Sequence, residues 1–323
     1  MVDDQWKGVS LLEGRRRYLG ISTIGHKCDR CLWLDFHWAD REVKKGSLER
    51  LLERGAQEEA NIVSNLRSVG VELDYVLDKQ AEFDFGCFVK GHPDGLILEG
   101  VPEAPKAMHN LEMKTSNRKA FEEIVAKGCE AAKPMHYRQQ MCEMYGWKHL
   151  LKKPVERSVY YVVCKDNDEN YSERITLDEE LAEALIKRGQ ELCIRYDLPK
   201  GLSSDPSWWE CKMCSHYGLC HEKKLPEVNC RTCAFFDAHG DTSTCHCLAN
   251  DDKEIPDEDI APFGCEWHVL NPSLASLAGW EYDEKNSTDY TARFFIGGLG
   301  WIDNGYGGMT TDDIIKKLSA KSS

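Results

Sequence analysis

Two short motifs in the first half of the chain contain residue types that bind a divalent cation. Asp94 lies in the sequence HPDG, and Glu112 and Lys114 lie in LEMK. Because side chains alternate along a β-strand, Glu112 and Lys114 would share one face while Met113 points into the opposite core. A turn before that strand can bring Asp94 beside them. Two carboxylates and the backbone carbonyl of Met113 then form an oxygen-rich site suited to Mg²⁺ or Mn²⁺.

This arrangement would support hydrolysis of a phosphodiester. A bound dication lowers the pKa of a water molecule and stabilises negative charge on the phosphate. Lys114 would orient that water or neutralise the charge that develops. An E-x-K triplet alone is usually a surface charge pair on a strand. The order of turn, short apolar strand and two following helices favours the catalytic interpretation.

The sequence around these motifs predicts an α/β core of roughly 200 residues. Apolar residues recur at helical spacing over 47–69, and the pattern becomes strand-like between 71 and 98. The other elements predicted for this core are a short strand at 110–115, helices at about 118–128, 134–150 and 178–196, and the strands RSVYYVVCKD and YSERITL.

This ordered series resembles the RecB-like branch of the PD-(D/E)XK nucleases, and in particular its phage-encoded members. The resemblance implies a restriction-endonuclease-like core, in which a mixed sheet is flanked by helices. The helix before the sheet contains Gly55-x-x-x-Glu59, where the family places a further metal ligand. The helix after E-x-K contains HYRQQMCEMYGW, which is similar to the family's Q-x-x-x-Y signature with Gln140 as its glutamine. Met144 stands where the tyrosine is expected, and Tyr145 follows one place later.

The family resemblance also implies an activity and a role for each site residue. It implies a metal-dependent exonuclease that acts on single-stranded or end-containing DNA in phage recombination or repair. A recombinase or a single-strand-binding protein is a candidate partner. The implied roles are metal binding for Asp94, Glu112 and the Met113 carbonyl, completion of the metal shell for Glu59, water activation for Lys114, and positioning of water or phosphate for Gln140.

Composition and charge limit the compartment and the class of protein. A net charge of −14 argues against a protein that coats polyanions, although a narrow basic groove can still hold DNA. No apolar run approaches the ~20 residues needed to cross a bilayer, so we expect no membrane association. The N-terminus lacks the apolar stretch of a signal peptide, which favours the cytoplasm, or the host cytoplasm for a phage protein. In that compartment the grouped cysteines among the fifteen would bind metal rather than form disulfides.

The first cysteine group combines a cluster with a distant partner. Cys211, Cys214 and Cys220 have C-x2-C-x5-C spacing, and Cys28 lies far upstream in CDRCLW. Three close thiolates and one distant thiolate can hold an iron–sulfur cluster. The iron–sulfur RecB-like nucleases, including the CRISPR-associated exonuclease family, share this split arrangement, which implies a 4Fe–4S cluster here. Cys31 could replace Cys28, and a zinc site that pairs the two C-x2-C motifs is the alternative.

The second cysteine group follows at once and suits a structural zinc ion. Its C-x2-C motif, a central pair of cysteines and a final C-x2-H match the thiolate and imidazole ligands that zinc prefers. Three ligands are fixed by this pattern, and the fourth is open between two cysteines and a histidine. The predicted ligands are Cys230, Cys233 and Cys265 with Cys247 as the fourth, and His268 and Cys245 are the alternatives.

These groups suggest a division of the chain into modules and leave two other functions open. We expect a nuclease domain over 1–225, a zinc-binding module over 226–272 and a C-terminal extension over 273–323. One alternative is a non-catalytic zinc-ribbon protein that binds DNA or acts as a scaffold on a nuclease-like fold. The other is a sequence-specific endonuclease built on the same core.

Overall fold

The computed structural model describes residues 5–7, 15–41, 44–256, 260 and 264–322. Packing of the backbone divides the chain into two compact units. Unit 1 consists of the described residues of 1–25 and 43–190, and unit 2 consists of those of 26–42 and 191–323. Among the described residues, no helix is both long and apolar enough to span a membrane.

The elements follow one another along the chain in three stretches. The first contains β1 (Leu19–Gly20), α1 (Ile21–Ile24), α2 (Asp29–Phe36), α3 (Gly46–Ser68), β2 (Glu72–Asp74), β3 (Phe83–Asp84), β4 (Val89–Gly91) and β5 (Gly95–Glu99). The second contains β6 (His109–Ser116), α4 (Arg118–Ala132), α5 (Pro134–His149), β7 (Arg157–Cys164), β8 (Asn170–Thr176) and α6 (Glu179–Cys193). The third contains α7 (Trp209–Lys212), α8 (Tyr217–His221), β9 (Phe236–His239), β10 (Thr244–Cys247), β11 (Lys253–Ile255), α9 (Pro272–Leu277), β12 (Glu281–Tyr282), β13 (Thr291–Ile296), β14 (Gly300–Gly305) and α10 (Thr311–Ser322).

A five-stranded mixed sheet forms the centre of unit 1. Its strand order is β2–β5–β6–β7–β8. β6 and β7 are parallel, while the other neighbours are antiparallel. Two parallel neighbours require a crossover connection, which α4 and α5 supply between them. The predicted fold, a mixed sheet flanked by helices, is confirmed.

The buried face of α3 packs against this sheet. Ile62 and Val63 are buried in one cluster with Met113 of β6 and Val159 of β7. Several other leucines near the start of α3, such as Leu52, are exposed. The helical pattern predicted over 47–69 therefore forms one helix, and its second half contributes the apolar contact with the sheet.

Unit 2 combines two small antiparallel sheets with short helices. Its sheets have the orders β11–β10–β9 and β12–β13–β14. Trp33 and Leu34 of α2 are fully buried in one apolar cluster with Leu274, Phe294 and Ile314. Residues from α2 and from the C-terminal 50 residues therefore share a core.

The predicted modules do not coincide with the two units. The segment 26–42 belongs to the same compact unit as the chain after residue 191, and not to the unit that contains residues 43–190. One contact of this kind is the indole N–H of Trp33, which donates to the Arg195 carbonyl at 2.8 Å. The division at residues 225 and 272 stays a prediction about which segments carry separate functions.

Candidate active site

The sheet of unit 1 brings Asp94, Glu112 and Lys114 together. Asp94 directly precedes β5, and β5 pairs with β6, which contains the other two residues. One carboxylate oxygen of Asp94 accepts the backbone N–H of Met113 at 2.8 Å. The Lys114 ammonium lies 3.4 Å from that oxygen and 2.6 Å from Glu112 Oε1. The three polar side chains form one contiguous site.

Strand alternation on β6 separates this site from the apolar core. Met113 is 2% exposed and belongs to the cluster that α3 covers, whereas Glu112 on the other face is fully buried among polar groups. The backbone carbonyl of Met113 still faces the site, because Lys114 Nζ donates to it at 3.1 Å. The carbonyl is therefore available beside the carboxylates, as the sequence pattern predicted.

Gln139 and Glu143 complete the site, and sequence reasoning missed both. The Gln139 amide donates to Glu112 Oε2 at 3.1 Å and to Glu143 Oε1 at 2.7 Å. Asn110 donates to the other oxygen of Glu143 at 2.8 Å. Gln139 and Glu143 are four residues apart on α5, so they share one helix face. The available signal was a Gln and a Glu four residues apart in the second helix after the E-x-K strand.

The structure does not place Gln140 in the site. Its amide donates to the His136 carbonyl at 3.2 Å, and its Oε1 accepts the Ser158 hydroxyl at 2.7 Å. Adjacent helical residues point about 100° apart, so one residue of displacement turns the side chain away from Glu112. Gln139 rather than Gln140 therefore contacts Glu112, and the catalytic role of Gln140 stays a prediction. The position four residues later is Glu143, so this face has no Q-x-x-x-Y tyrosine.

Glu59 on α3 is half-buried and interacts electrostatically with Asp94 and Lys114 of the same site. Burial raises the pKa of its carboxyl, the negative charge of Asp94 raises it further, and Lys114 opposes both effects. Glu59 is thus within electrostatic range of the cluster, on a different element from the other carboxylates.

The positive charge of Lys114 does not balance the negative charges of the buried carboxylates. Burial first, and then the charge of Glu143, raise the pKa of Glu112 well above its ordinary value. Burial and Asp94 raise the pKa of Glu143 to about 7. Burial alone would lower the pKa of Lys114, but Asp94 and Glu112 outweigh it, so the ammonium stays charged.

This shortage of positive charge suits a divalent cation. Among the described residues, Glu112 Oε1 has no partner at hydrogen-bonding geometry, although it forms an ion pair with Lys114. An oxygen-only donor set of carboxylates and a backbone carbonyl matches Mg²⁺ or Mn²⁺ rather than a softer metal. The residues present therefore fit the implied metal.

A cleft of about 530 Å³ opens onto this site. Asp94, Lys114 and Gln139 line it. The rest of the lining includes basic and imidazole side chains, namely those of Arg16, Lys90, His92 and His136. Groups of this kind bind phosphate oxygens, so the cleft can accept an anionic chain next to the carboxylates. The cleft lining thus contains cationic side chains although the net charge of the chain is negative.

The first cysteine group comes together within unit 2. The sulfur atoms of Cys31 and Cys214 are 3.8 Å apart. Cys28 is close enough to raise the pKa of both Cys211 and Cys220 through its charge, after the larger effect of burial. All four predicted ligands are thus neighbours, and Cys31 lies among them as a fifth thiol. Both candidate N-terminal ligands remain compatible with a metal at this position.

The second cysteine group also converges, with Cys247 as a member. Burial and then the charges of Cys265 and Cys247 raise the pKa of Cys233 to about 12. Cys245 instead lies 3.7 Å from the Arg231 guanidinium. His268 is engaged elsewhere. Its two ring nitrogens lie 2.9 Å from the Thr311 hydroxyl and 3.1 Å from the Asn229 carbonyl, and burial lowers its pKa to about 4.

Comparison with known proteins gives distant similarities to solved structures. No family model matches the chain, and no curated protein matches its sequence. Similar solved structures include the alkaline exonuclease LHK-Exo from Laribacter hongkongensis, which has also been solved in complex with dAMP. It is 14% identical with a TM-score of 0.39, over 58% of this chain and 90% of that one. Another, SSO0001, is 16% identical with a TM-score of 0.39, over 66% of this chain and 91% of its own. At this level of likeness, function has to be inferred from the side chains themselves.

Proposed function

We propose that unit 1 is a metal-dependent nuclease that hydrolyses phosphodiester bonds in DNA. The observation that carries the proposal is the cluster of buried carboxylates around Lys114 at the base of a cleft with basic lining residues. Buried acidic groups are costly unless a cation or a proton balances them, so such clusters mark functional sites. The cleft supplies the access that a polymeric anion needs.

Asp94, Glu112, the Met113 carbonyl and Glu59 would hold Mg²⁺ or Mn²⁺. When bound, the dication supplies an acidified water and stabilises charge on the phosphate. Lys114 keeps an ammonium group at the mouth of the carboxylate cluster, where it can attract a phosphate oxygen. Gln139 fixes the orientation of Glu112 through its amide, and Glu143 holds that amide in place.

We infer that the substrate is DNA with a free end or single-stranded character. The cleft has room for an extended strand, and its basic lining residues can contact phosphates without reading base edges. Exonuclease action in phage recombination or repair, in the cytoplasm of a host cell and beside a recombinase or single-strand-binding protein, follows from the family resemblance. Digestion of linear but not circular single strands would support this substrate class.

The enzyme proposal is tested by replacing the lysine. Lys114→Ala and wild-type protein would be incubated with DNA labelled at its 5′ or 3′ end and Mn²⁺. We expect a loss of ~100-fold or more in rate, because a charge-stabilising donor is removed. Lys119→Ala changes an exposed lysine on α4 and is the matched control.

Three outcomes of this assay separate the proposal from the alternatives. End-dependent cleavage that is lost only with Lys114→Ala supports an exonuclease. Equal inertness of wild type and variant contradicts the enzyme proposal and favours a non-catalytic DNA-binding protein. Cleavage restricted to one duplex sequence favours a sequence-specific endonuclease.

We propose further that both cysteine groups of unit 2 bind metal. The convergence of thiols supports this, because soft thiolates at close range suit iron–sulfur clusters or zinc. The proposed ligands are Cys28, Cys211, Cys214 and Cys220 for a 4Fe–4S cluster, and Cys230, Cys233, Cys247 and Cys265 for zinc. Protein purified without oxygen should be brown and contain both metals. A colourless protein with zinc in both groups would contradict the cluster assignment.

A further inference from the structure

The small sheet β9–β10–β11 carries histidine and aspartate side chains outside the sites described above. His246 on β10 lies directly opposite Asp237 on β9, and His239 lies opposite Thr244. Residues two apart on a strand share a face, so both histidines and Asp237 project from the same side of the sheet. Asp252, just before β11, reaches the same place.

Donor atoms converge at this point. Asp252 Oδ1 lies 3.5 Å from His239 Nε2 and 3.4 Å from His246 Nδ1. Four donors at ~2.0–2.1 Å from a tetrahedral zinc ion would be roughly 3.3 Å apart, so these separations are close to those of a metal site. One ligand atom from each of the three residues lies within 4.8 Å of the other two.

The electrostatic setting also favours a cation. The two imidazole rings are stacked 3.7 Å apart and nearly parallel. Around them lie three oxygen acceptors: Asp237 Oδ2, 2.9 Å from His239 Nε2, Asp252 Oδ1, and the Asp252 carbonyl, 2.8 Å from His246 Nδ1. Each neutral imidazole has one N–H, so the two rings can donate to Asp237 Oδ2 and the Asp252 carbonyl but leave Asp252 Oδ1 without a ring donor. A single dication satisfies the same oxygens and leaves both rings neutral.

The position of His246 is fixed from its other side. Its Nε2 lies 3.0 Å from the Thr244 hydroxyl, which itself lies 2.6 Å from the Thr242 hydroxyl. A partner on the second ring nitrogen is the usual way in which proteins orient a metal-binding histidine. Nδ1 of His246 is thereby directed towards Asp252.

This cluster is distinct from the adjacent cysteine group. Cys247 follows His246 on β10, and neighbouring residues on a strand project to opposite faces. Cys247 and Cys245 therefore occupy the face away from the imidazoles. The two sets of ligands cannot merge without rebuilding the strand.

We propose that His239, His246 and Asp252 form a further binding site for a zinc-class dication, with Asp237 orienting His239 or completing the shell. Two imidazoles and a carboxylate favour Zn²⁺, Co²⁺, Ni²⁺ or Cu²⁺ over Mg²⁺ and Ca²⁺. The ion joins the β9–β10 hairpin to the loop at Asp251 and Asp252, where both residues have left-handed backbone angles. Its role is to stabilise that loop.

The test uses full-length protein whose cysteine sites are already loaded and whose carboxylate site is saturated with excess Mg²⁺, titrated with Co²⁺. We expect one additional equivalent to bind, with visible absorption but without the intense thiolate-to-cobalt band of a cysteine site. His239→Ala and Asp252→Asn should lose this equivalent or weaken its affinity by at least ~10-fold. His149→Ala is the matched control, because His149 also lies against an aromatic ring, that of Tyr145, and contacts a carboxylate, Glu179.

A second variant distinguishes loss of the metal site from misfolding. His246→Phe keeps the ring stack but removes the nitrogen donors and their hydrogen bonds, so a cooperative melting transition without metal shows that it folds, and it should fail to gain stability when Zn²⁺ is added. Loss of the extra equivalent in the three site variants but not in His149→Ala supports the site. An unchanged Co²⁺ stoichiometry in His239→Ala, or an added equivalent with a thiolate band, would overturn it. Neither readout depends on nuclease activity.

Discussion

Gln139 and Gln140 are adjacent in sequence and contact different parts of unit 1. The amide of Gln139 bridges Glu112 and Glu143, whereas Gln140 is bonded to Ser158 and to the His136 carbonyl. Of the two, Gln139 is the one that contacts Glu112 directly. The pair offers an internal control in which the same substitution is made one residue apart.

We expect Gln139→Ala to lower the turnover of DNA by ~10–100-fold, since groups that orient metal ligands have effects of this size. Gln140→Ala should keep turnover per folded molecule and lower the free energy of unfolding by ~1–3 kcal/mol, because it removes buried hydrogen bonds. Steady-state rates at saturating Mn²⁺ and chemical denaturation measure the two effects. A turnover loss in Gln140→Ala equal to that in Gln139→Ala would contradict this assignment.

For single residues, the sequence predicts which side chains share a face of one strand. Alternation on β6 places Glu112 and Lys114 together and Met113 behind them, whatever the rest of the fold does. The face of α5 is harder to predict, since Gln139, Gln140 and Glu143 are all polar in a helix whose other residues are largely buried. No apolar stripe distinguishes the face that meets the sheet, so the family signature was aligned one residue away.

Helix α4 contains a break that the sequence pattern near residue 128 only partly revealed. Gly128 has φ of 76°, outside the helical range, and the next N–H, that of Cys129, bonds to Glu173 at 2.7 Å. A Cβ at this glycine would lie 3.2 Å from Glu173 Oε1. The turn therefore depends on glycine for both backbone conformation and space.

Gly128→Ala should lower the free energy of unfolding of unit 1 by ~1–2 kcal/mol, because a side chain disfavours the left-handed conformation. Gly55→Ala is the matched control, since a Cβ there meets no atom within 4 Å and the residue is helical. Alanine in a helix interior should raise stability by ~1 kcal/mol. Denaturant unfolding should thus give shifts of opposite sign, and a loss of stability in both variants would refute the interpretation.

His37 ends helix α2 in a setting that excludes its charged form. It is 4% exposed, and its ring stacks on Trp33 at 3.7 Å. Burial, helped by the charge of the nearby Arg231, lowers the pKa of His37 to about 3 and outweighs the opposing effect of the hydrogen bond with the Trp33 carbonyl. The unfolded chain therefore binds a proton at higher pH than the folded chain does.

Because the folded pKa is the lower one, this histidine makes unit 2 lose stability as the pH falls from about 6.5 towards 3. From pH 7.5 to pH 5 the expected loss is ~2 kcal/mol, which follows from the linkage between protonation and folding. His37→Phe preserves the stacking and should flatten this part of the pH profile. Unfolding curves of both proteins at several pH values provide the measurement, and identical pH slopes would rule out His37 as the source.

The molecule as a whole consists of units with different sources of stability. Unit 1 has an extended sheet with helices on it, whereas unit 2 has small sheets and two cysteine groups. Small domains with little core often depend on bound metal for their fold. Metal removal should therefore affect the two units unequally.

A strong thiol-competing chelator should lower the melting temperature of unit 2 far more than that of unit 1. Differential scanning calorimetry is expected to resolve two transitions, and Gly128→Ala identifies the one that belongs to unit 1. Oxygen-ligand cations are left out of the buffer, so that the carboxylate site does not contribute. Equal shifts of both melting temperatures would contradict the prediction that unit 2 depends on bound metal more than unit 1 does.

The assignment of chain segments to the two units is the feature that the sequence predicts least well. Spacing within a segment predicts helices, strands and short-range ligand sets, and it placed Cys211, Cys214 and Cys220 together. The partnership of 26–42 with the chain beyond 191 depends on contacts such as that of Trp33 with Arg195. Nothing in local periodicity specifies a contact over that separation, and family resemblance alone suggested that Cys28 joins the distant cysteines.

The interrupted order of unit 2 has a consequence for synthesis on the ribosome. The segment that contains α2 emerges early, but the residues that bury Trp33 and Leu34 are translated only after residues 43–190. Domains fold largely as they emerge, so unit 1 can acquire its structure first. The apolar side chains of α2 stay exposed until the rest of unit 2 has been translated. Assembly of the split cysteine group is then a late event, and a nascent chain that stalls near residue 190 should be a substrate for chaperones or proteases.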